Sequence, residues 1–137
     1  MRRFLIPIAL LSAACGDPAG PPVEEIAGLY TATVFEATEG GDRTDFLAVG
    51  GSLDLSLLPS GGVNGQLNLP GGGTGGSTLK VNVGGSWRVR DGEVTLELRP
   101  TIFLDALRFT ASSGLLSSDQ TVDGVHYDLT LRQTAPA

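Results

Sequence analysis

The sequence predicts an all-β domain of eight antiparallel strands that close into an up-and-down barrel. Two observations indicate this fold. Apolar and polar residues alternate along several segments, as expected for strands with one buried face. Short turn sequences rich in glycine separate these segments, and no helical spacing of apolar residues is sustained after residue 14. A β-sandwich of two antiparallel sheets is the alternative architecture.

The strands are expected to be about nine residues long and joined by short loops. In chain order they are predicted near residues 28–37, 46–57, 63–69, 78–89, 93–99, 102–111, 114–119 and 124–133. Turn sequences at residues 59–62, 90–92 and 123–124 mark three of the hairpins.

Four segments show the clearest alternation, and weaker segments complete the eight strands. In one of these segments Leu53, Leu55 and Leu57 alternate with polar residues. The inward-facing candidates, in chain order, are Val81, Val83, Trp87, Val89, Val94, Leu96, Leu98, Leu107, Phe109, Tyr127, Leu129 and Leu131. Polar residues between them would face solvent, so this set is the predicted core.

The N-terminus has the organisation of a secretory signal peptide over residues 1–14. Arg2 and Arg3 precede an apolar stretch over residues 4–14 that ends in small residues. This stretch is shorter than the roughly 20 residues that span a bilayer as a helix, and Pro7 interrupts it. We therefore expect the protein to be exported.

Cys15, the only cysteine, directly follows this segment. The stretch Leu-Ser-Ala-Ala-Cys at residues 11–15 resembles a bacterial lipobox, in which the cysteine is lipidated and becomes the first mature residue. Several acyl chains anchor a protein stably, since each buried methylene contributes about 0.8 kcal/mol. The resemblance implies an anchor in the cell envelope, and Gly16 after the cysteine favours the outer membrane, facing the periplasm. The alternative is an unmodified cysteine.

Residues 15–26 are expected to form a flexible tether, because residues 16–26 contain three prolines and no apolar period. Residues 27–137 then form the barrel domain. Loss of Arg2 and Arg3 with the signal peptide changes the formal net charge from −6 to −8. This charge argues against nucleic-acid binding, which depends on Lys and Arg. Solubility is one explanation of the charge, and attraction to a basic partner is the other.

Three motifs resemble those of small lipocalin-like lipoproteins of bacteria. They are Gly28-Leu29-Tyr30, the central hairpin over residues 85–96, and the final strand over residues 127–132. The resemblance implies a lipocalin-like barrel in which Gly28 and Tyr30 close one end. It also implies that Arg132 packs across Tyr30 in a cation–π contact.

The interior of an eight-stranded barrel is either filled by side chains or just wide enough for one small ligand. The resemblance implies a small apolar ligand, and the candidate ligand-binding residues are Trp87, Val89, Leu96, Phe109, Tyr127 and Leu129. A low aromatic content of 6% and the strand glycines Gly65 and Gly85 favour a cavity. In the alternative interpretation, the same six residues form an ordinary core.

The sequence offers no catalytic, cofactor or metal-binding constellation, and we expect none. His126 is the only histidine and falls on the polar face of its strand. The Gly-x-Gly-x-x-Gly match at residues 71–76 leads into a strand, whereas phosphate binding needs a helix there. A set of acidic residues near Gly40 lacks the spacing of a calcium loop: Glu36, Glu39, Asp42 and Asp45.

Two functions are compatible with these patterns. The first is a membrane-anchored lipoprotein whose lipocalin-like barrel binds a small apolar ligand in the cell envelope. The alternative is a structural or protein-binding envelope lipoprotein with a filled barrel, for example an inhibitor of a cationic lytic enzyme. In both, the lipid on Cys15 is the contact with the membrane.

Overall fold

The computed structural model describes residues 21–72, 74–100 and 102–137. The signal peptide, Cys15 and the first part of the tether lie outside these residues. The described elements are α1 (Val23–Ile26), β1 (Gly28–Glu39), β2 (Asp42–Asp45), β3 (Ser52–Leu57), β4 (Gly62–Leu69), β5 (Leu79–Arg90), β6 (Glu93–Arg99), β7 (Arg108–Ser112), β8 (Leu115–Val122) and β9 (Val125–Pro136). Short 3-10 segments cover Thr74–Gly76 and Phe103–Ala106.

Eight of the strands form a closed antiparallel barrel. Its order is β1, β3, β4, β5, β6, β7, β8 and β9, and β9 pairs back with β1. The eight barrel strands follow one another in chain order, which is the up-and-down topology. β2 is additional and pairs with the end of β1. The predicted barrel is confirmed, and the sandwich alternative is wrong because the pairing of β1 with β9 closes the sheet.

The inner face of the barrel forms one continuous apolar core. Its largest fully buried side chains are Tyr30, Phe35, Phe109, Leu53, Leu55, Leu57, Leu67, Leu98, Leu104, Leu107, Leu116 and Leu129. The period-two alternation predicted most of these positions, because one face of each strand points inward.

From Tyr30 onward, β1 contains one residue more than the facing part of β9. Ala32 pairs with Leu131 and Val34 pairs with Thr130, so Thr33 has no partner in this ladder. A bulge of one residue shifts the alternation of side chains by one position. Ala32 therefore faces the core before the bulge, whereas Phe35 faces it afterwards.

Two predicted strands are shorter in the structure. Residues 46–51 form a turn that precedes β3, and the amide of Gly51 donates a hydrogen bond of 2.6 Å to the carbonyl of Phe46. The strand predicted over residues 102–111 is wrong in its first half, which contains the 3-10 segment. Asp105 stabilises that segment, because its carboxylate accepts hydrogen bonds from the amides of Leu98 at 2.9 Å and Ile102 at 3.3 Å.

The packed domain begins before residue 27. Ile26 is 2% exposed and belongs to the core, and its carbonyl accepts a 2.5 Å hydrogen bond from the Tyr30 hydroxyl. The tether expected through residue 26 therefore extends too far, because residues 23–26 are a helix that packs on the barrel. We call the barrel end that bears α1 and the β3–β4, β5–β6 and β7–β8 turns the closed end. The opposite end is the open end.

Gly65 and Gly85 bring strands together and do not leave a cavity. A Cβ at Gly65 would lie 2.5 Å from the Asp54 carbonyl oxygen and 2.5 Å from Leu55 Cδ2. A Cβ at Gly85 would overlap the carbonyl oxygen of Glu97. The expectation that these glycines open space inside the barrel is wrong, because neighbouring strands occupy that space.

Candidate functional site

The predicted ligand-binding residues do not surround a common space. Phe109 and Leu129 are 0% exposed and belong to the core. Trp87 is also buried, and its indole nitrogen donates a hydrogen bond of 2.8 Å to the Leu58 carbonyl. Leu96 lies opposite Trp87 in the β5–β6 ladder and is buried as well. These four side chains stabilise the barrel by packing with their neighbours.

The two remaining candidates differ in position. Val89 is partly buried and packs against the core. Tyr127 is partly buried too, but it lines a recess at the open end of the barrel. Of the six predicted residues, Tyr127 is therefore the one that lines the recess at the open end, whereas Trp87 and Leu96 line a separate groove of about 360 Å³ beside β5 and β6.

The residues expected to close the barrel are arranged differently from the implied pattern. Tyr30 is 2% exposed, whereas Arg132 is exposed on the outer face, so the implied cation–π contact is not formed. Gln133 supplies a contact at the closed end instead, because its side-chain nitrogen donates a 2.8 Å hydrogen bond to the Ala27 carbonyl. Gly28 is buried beside it, where a Cβ would overlap the Gln133 amide. The closed end thus depends on Tyr30, Gly28 and Gln133.

A recess of about 310 Å³ lies at the open end. Four aromatic side chains line it: Phe35, Phe46, Phe103 and Tyr127. Phe35 is 1% exposed and connects the recess to the core, whereas the other three rings are half-buried. We call this site the aromatic recess.

The four rings contact one another in a continuous series. Phe103 and Tyr127 are stacked, with centroids 4.6 Å apart and an angle of 11° between their planes. Phe35 lies 6.0 Å from Phe103 and 4.9 Å from Phe46, measured between centroids. These separations are within the range for favourable aromatic pairs, which contribute about 0.5–1.5 kcal/mol each beyond area burial.

Separate structural features bring the rings together. The bulge in β1 turns Phe35 inward, and the amide of Phe46 donates a 2.9 Å hydrogen bond to the Phe35 carbonyl. Phe103 begins the 3-10 segment that Asp105 holds against β6. Tyr127 comes from β9, which pairs directly with the second half of β1. The recess therefore depends on the barrel closure, the bulge and two loops.

The recess carries negative charge on one side. The carboxylates of Glu39 and Asp42 line it, and none of its lining residues is a lysine or an arginine. Burial raises the pKa of the Tyr127 hydroxyl, and the charges of Glu39 and Asp123 raise it further. Of the two recess carboxylates, Glu39 is therefore close enough to Tyr127 to act on its hydroxyl.

The basic residue closest in sequence is engaged elsewhere. The Arg43 guanidinium lies 2.8 Å from a carboxylate oxygen of Glu36, and its side chain is 64% exposed. Arg43 pairs with Thr38 across the β1–β2 hairpin. Thr38 lies between Ala37 and Glu39, which both line the recess, so Thr38 and Arg43 face the opposite side of the hairpin. This ion pair therefore lies on the outer face and leaves the recess carboxylates unneutralised.

The sequence prediction missed three of the four recess aromatics. It placed Phe46 and Phe103 in strands and left Phe35 out of the inward-facing set, because regular alternation does not reveal a bulge. One usable signal was present. Phe46 directly follows a segment rich in turn residues, and aromatic residues at loop ends are candidates for a binding surface.

The remaining candidate chemistry is limited in the part of the chain that the structure describes. The His126 ring contacts the Asp119 carboxylate and lies 2.9 Å from the Thr121 hydroxyl on the outer face. No group of three or more potential metal ligands occurs among the described residues. None of their helices is long and apolar enough to cross a membrane.

The strand pairings establish the barrel, whereas its relationship to other proteins rests on the sequence motifs alone. Membership of the lipocalin-like family therefore stays a prediction from those motifs. Comparison of the chain with family models, curated proteins and solved structures finds no match.

Proposed function

We propose that this chain is a lipid-anchored protein of the bacterial cell envelope that binds a small apolar molecule in the aromatic recess. The observation that carries the proposal is the group of half-buried rings at the open end, Phe46, Phe103 and Tyr127. Partly exposed aromatic clusters with a concave shape are typical of small-molecule sites.

The size of the recess supports a small ligand. Its volume of about 310 Å³ is at the lower end of the range for small-molecule pockets, about 300–1,000 Å³. The barrel interior below it is filled by core residues, including Phe109 and Leu129 at 0% exposure. The ligand would therefore bind at the mouth of the barrel, above Phe35, and not deep inside.

The position of the recess suits a lipid-anchored protein. The described chain begins at residue 21, beside α1 at the closed end. A lipid on Cys15 would therefore attach the closed end to the membrane. The aromatic recess, at the opposite end, would face away from the lipid surface and stay accessible.

Binding is tested by titrating the chain from residue 16 onward with N-phenyl-1-naphthylamine, a neutral probe that fluoresces in apolar sites. Saturable fluorescence is expected. Phe103→Ala should weaken binding about tenfold, equivalent to about 1.4 kcal/mol. Leu29→Ala is the matched control, because Leu29 is 46% exposed on the outside of the barrel. No saturable binding, or equal loss in both variants, would overturn the proposal.

The anchor is tested separately. Cys15→Ser should move the protein from the membrane fraction to the soluble fraction, because no acyl chain is then attached. Continued membrane association of this variant after a salt wash would contradict the lipobox interpretation.

A second function, a structural or protein-binding envelope lipoprotein, is favoured by the filled interior of the barrel. In that case the loops at the open end contact a protein partner. Absence of small-molecule binding together with a defined protein complex would select it.

A further inference from the structure

We propose that the ligand of the aromatic recess is a small organic cation, with an ammonium or quaternary ammonium group attached to a flat apolar body. This inference rests on the proposed function, because it concerns the same recess. It follows from the juxtaposition of stacked aromatic rings with a cross-strand pair of carboxylates, Glu39 and Asp42.

The aromatic part of the site is suited to a cation. An organic ammonium group is attracted to the face of an aromatic ring when it lies within about 6 Å of the ring centre. Phe103 stacks with both Phe35 and Tyr127, so the ring surface that the recess retains belongs to the half-buried Phe46 and Tyr127. Quaternary ammonium groups are weakly hydrated and lose little on entering such a site.

Two solvent-exposed carboxylates place negative charge at the rim of the recess. Glu39 and Asp42 are directly opposite each other across the β1–β2 hairpin, and both line the recess. Like charges at directly opposed positions destabilise an antiparallel pair, because their Cβ atoms lie only about 4.5–5.5 Å apart. A bound cation would remove this repulsion, so the site favours a positively charged ligand over a neutral one.

The same charges disfavour other ligands. An anion would approach Glu39 and Asp42 with no basic residue in the lining to compensate. A calcium ion needs six to eight oxygen ligands, whereas the recess combines two carboxylates with apolar rings. An organic cation uses both parts of the site.

The test compares two probes of nearly identical shape, the cation phenyltrimethylammonium and neutral tert-butylbenzene. Binding to the chain from residue 16 onward is followed by NMR through amide shifts of Gly40 and Gly41, in the turn beside the recess carboxylates. Amides of Gly61 and Gly114, in turns at the closed end, are the internal control. The cation should bind at least about tenfold more tightly than the neutral probe, and added salt should reduce the difference.

The decisive variant is the double substitution Glu39→Gln with Asp42→Asn. It should abolish the preference for the cation while leaving binding of the neutral probe unchanged. Its melting temperature should be no lower than that of the parent, because the like-charge pair is removed. The double substitution Glu93→Gln with Glu97→Gln is the matched control, since it removes the same charge from exposed positions on β6.

Each outcome is distinguishable. Equal affinity for both probes would overturn the cation inference and leave the proposed apolar site intact. Failure of both probes to bind would overturn the inference and the proposed function together. Preference for the cation that persists in the Glu39 and Asp42 double variant would also overturn the inference, because the selectivity would then come from elsewhere.

Discussion

At the scale of single residues, side chains replace backbone pairing where β6 and β7 separate. Their ladder contains three residue pairs, and Asp105 bonds the amide of Leu98 beyond it. On the next seam, Gln120 accepts a 2.7 Å hydrogen bond from the amide of Arg108 and donates one of 3.3 Å to the Ala106 carbonyl. Backbone groups near the open end thus find partners without a longer β7, which leaves room for the 3-10 segment that holds Phe103.

Adjacent glycines in β5 are expected to respond differently to substitution. Gly85→Ala should lower the free energy of unfolding by about 2–3 kcal/mol, because the new Cβ overlaps the carbonyl oxygen of Glu97. Gly84→Ala should change it by less than about 0.5 kcal/mol, since the nearest atoms lie 3.7 Å from the added Cβ. Urea unfolding of both variants measures the difference. Equal effects of the two substitutions on the free energy of unfolding would contradict the steric overlap between a Cβ at Gly85 and β6.

The two tyrosines are expected to titrate late in the folded protein. Burial raises the pKa of Tyr30 and of Tyr127 above the ordinary value of 10.0, and acidic neighbours contribute at Tyr127. The folded state therefore favours the protonated hydroxyls. Their contribution to stability is complete below pH 10 and is lost as the pH rises through the raised pKa values.

Absorbance at 295 nm measures this titration. The folded protein should show both midpoints above pH 10, whereas the protein in guanidinium chloride should titrate near pH 10. Tyr30→Phe and Tyr127→Phe assign the two steps. A folded-state midpoint at or below 10 would contradict the burial of that hydroxyl.

At the scale of elements, the bulge in β1 determines which residues reach the recess. If β1 continued without the bulge, the face of the strand that carries Tyr30 and Ala32 would also carry Glu36, and Glu36 would point inward. Thr33 is the unpaired residue, and after it Phe35, Ala37 and Glu39 face inward. One extra residue thus places a ring and a carboxylate in the recess.

Deletion of Thr33 is therefore expected to be tolerated. From Tyr30 onward the remaining residues already pair in order with β9, so removal of the bulge leaves Phe35 facing inward. Deletion of Ala37 is the control, because the ladder is regular there and Glu39 would turn to the outer face. Thermal unfolding and the NMR shifts of the recess compare the two. Greater loss of structure in the Thr33 deletion would contradict this role for the bulge.

At the scale of the whole molecule, the chain ends of the barrel meet at the closed end. Gly28 pairs with Pro136, so the first and last strands begin and end side by side. Barrel closure therefore joins residues that are far apart in sequence. The pairing of β1 with β9 does not require that the loops of the open end be intact.

A circular permutant should fold for this reason. Ala137 is joined to Pro21 through a short Gly/Ser linker, and new ends are made between Thr74 and Gly75, in an exposed glycine-rich loop. A permutant opened between Gly84 and Gly85, inside β5, is the control and should not fold. Circular dichroism and NMR report the outcome. Failure of the loop permutant would show that the native order of synthesis or the intact loop is required.

Much of the barrel was predictable from sequence, because burial of one strand face makes apolar residues recur at every second position. The series Val94, Leu96 and Leu98 is an example, since all three are buried as expected. Phe103 is the opposite case. Its segment contains enough apolar residues to be mistaken for a strand, and only the contact of Asp105 with β6 shows why it turns.

By itself, the sequence determined the all-β class and many core positions, because these follow from local alternation and turn composition. It favoured a barrel over a sandwich, and the pairing of β1 with β9 decided between the two. The tertiary structure alone decided the site. The recess joins Phe35, Phe46, Phe103 and Tyr127 from parts of the chain up to 92 positions apart. Their meeting depends on a bulge, a closure between the first and last strands and a side chain that stops a strand. None of these has a local period, since each depends on contacts between distant residues.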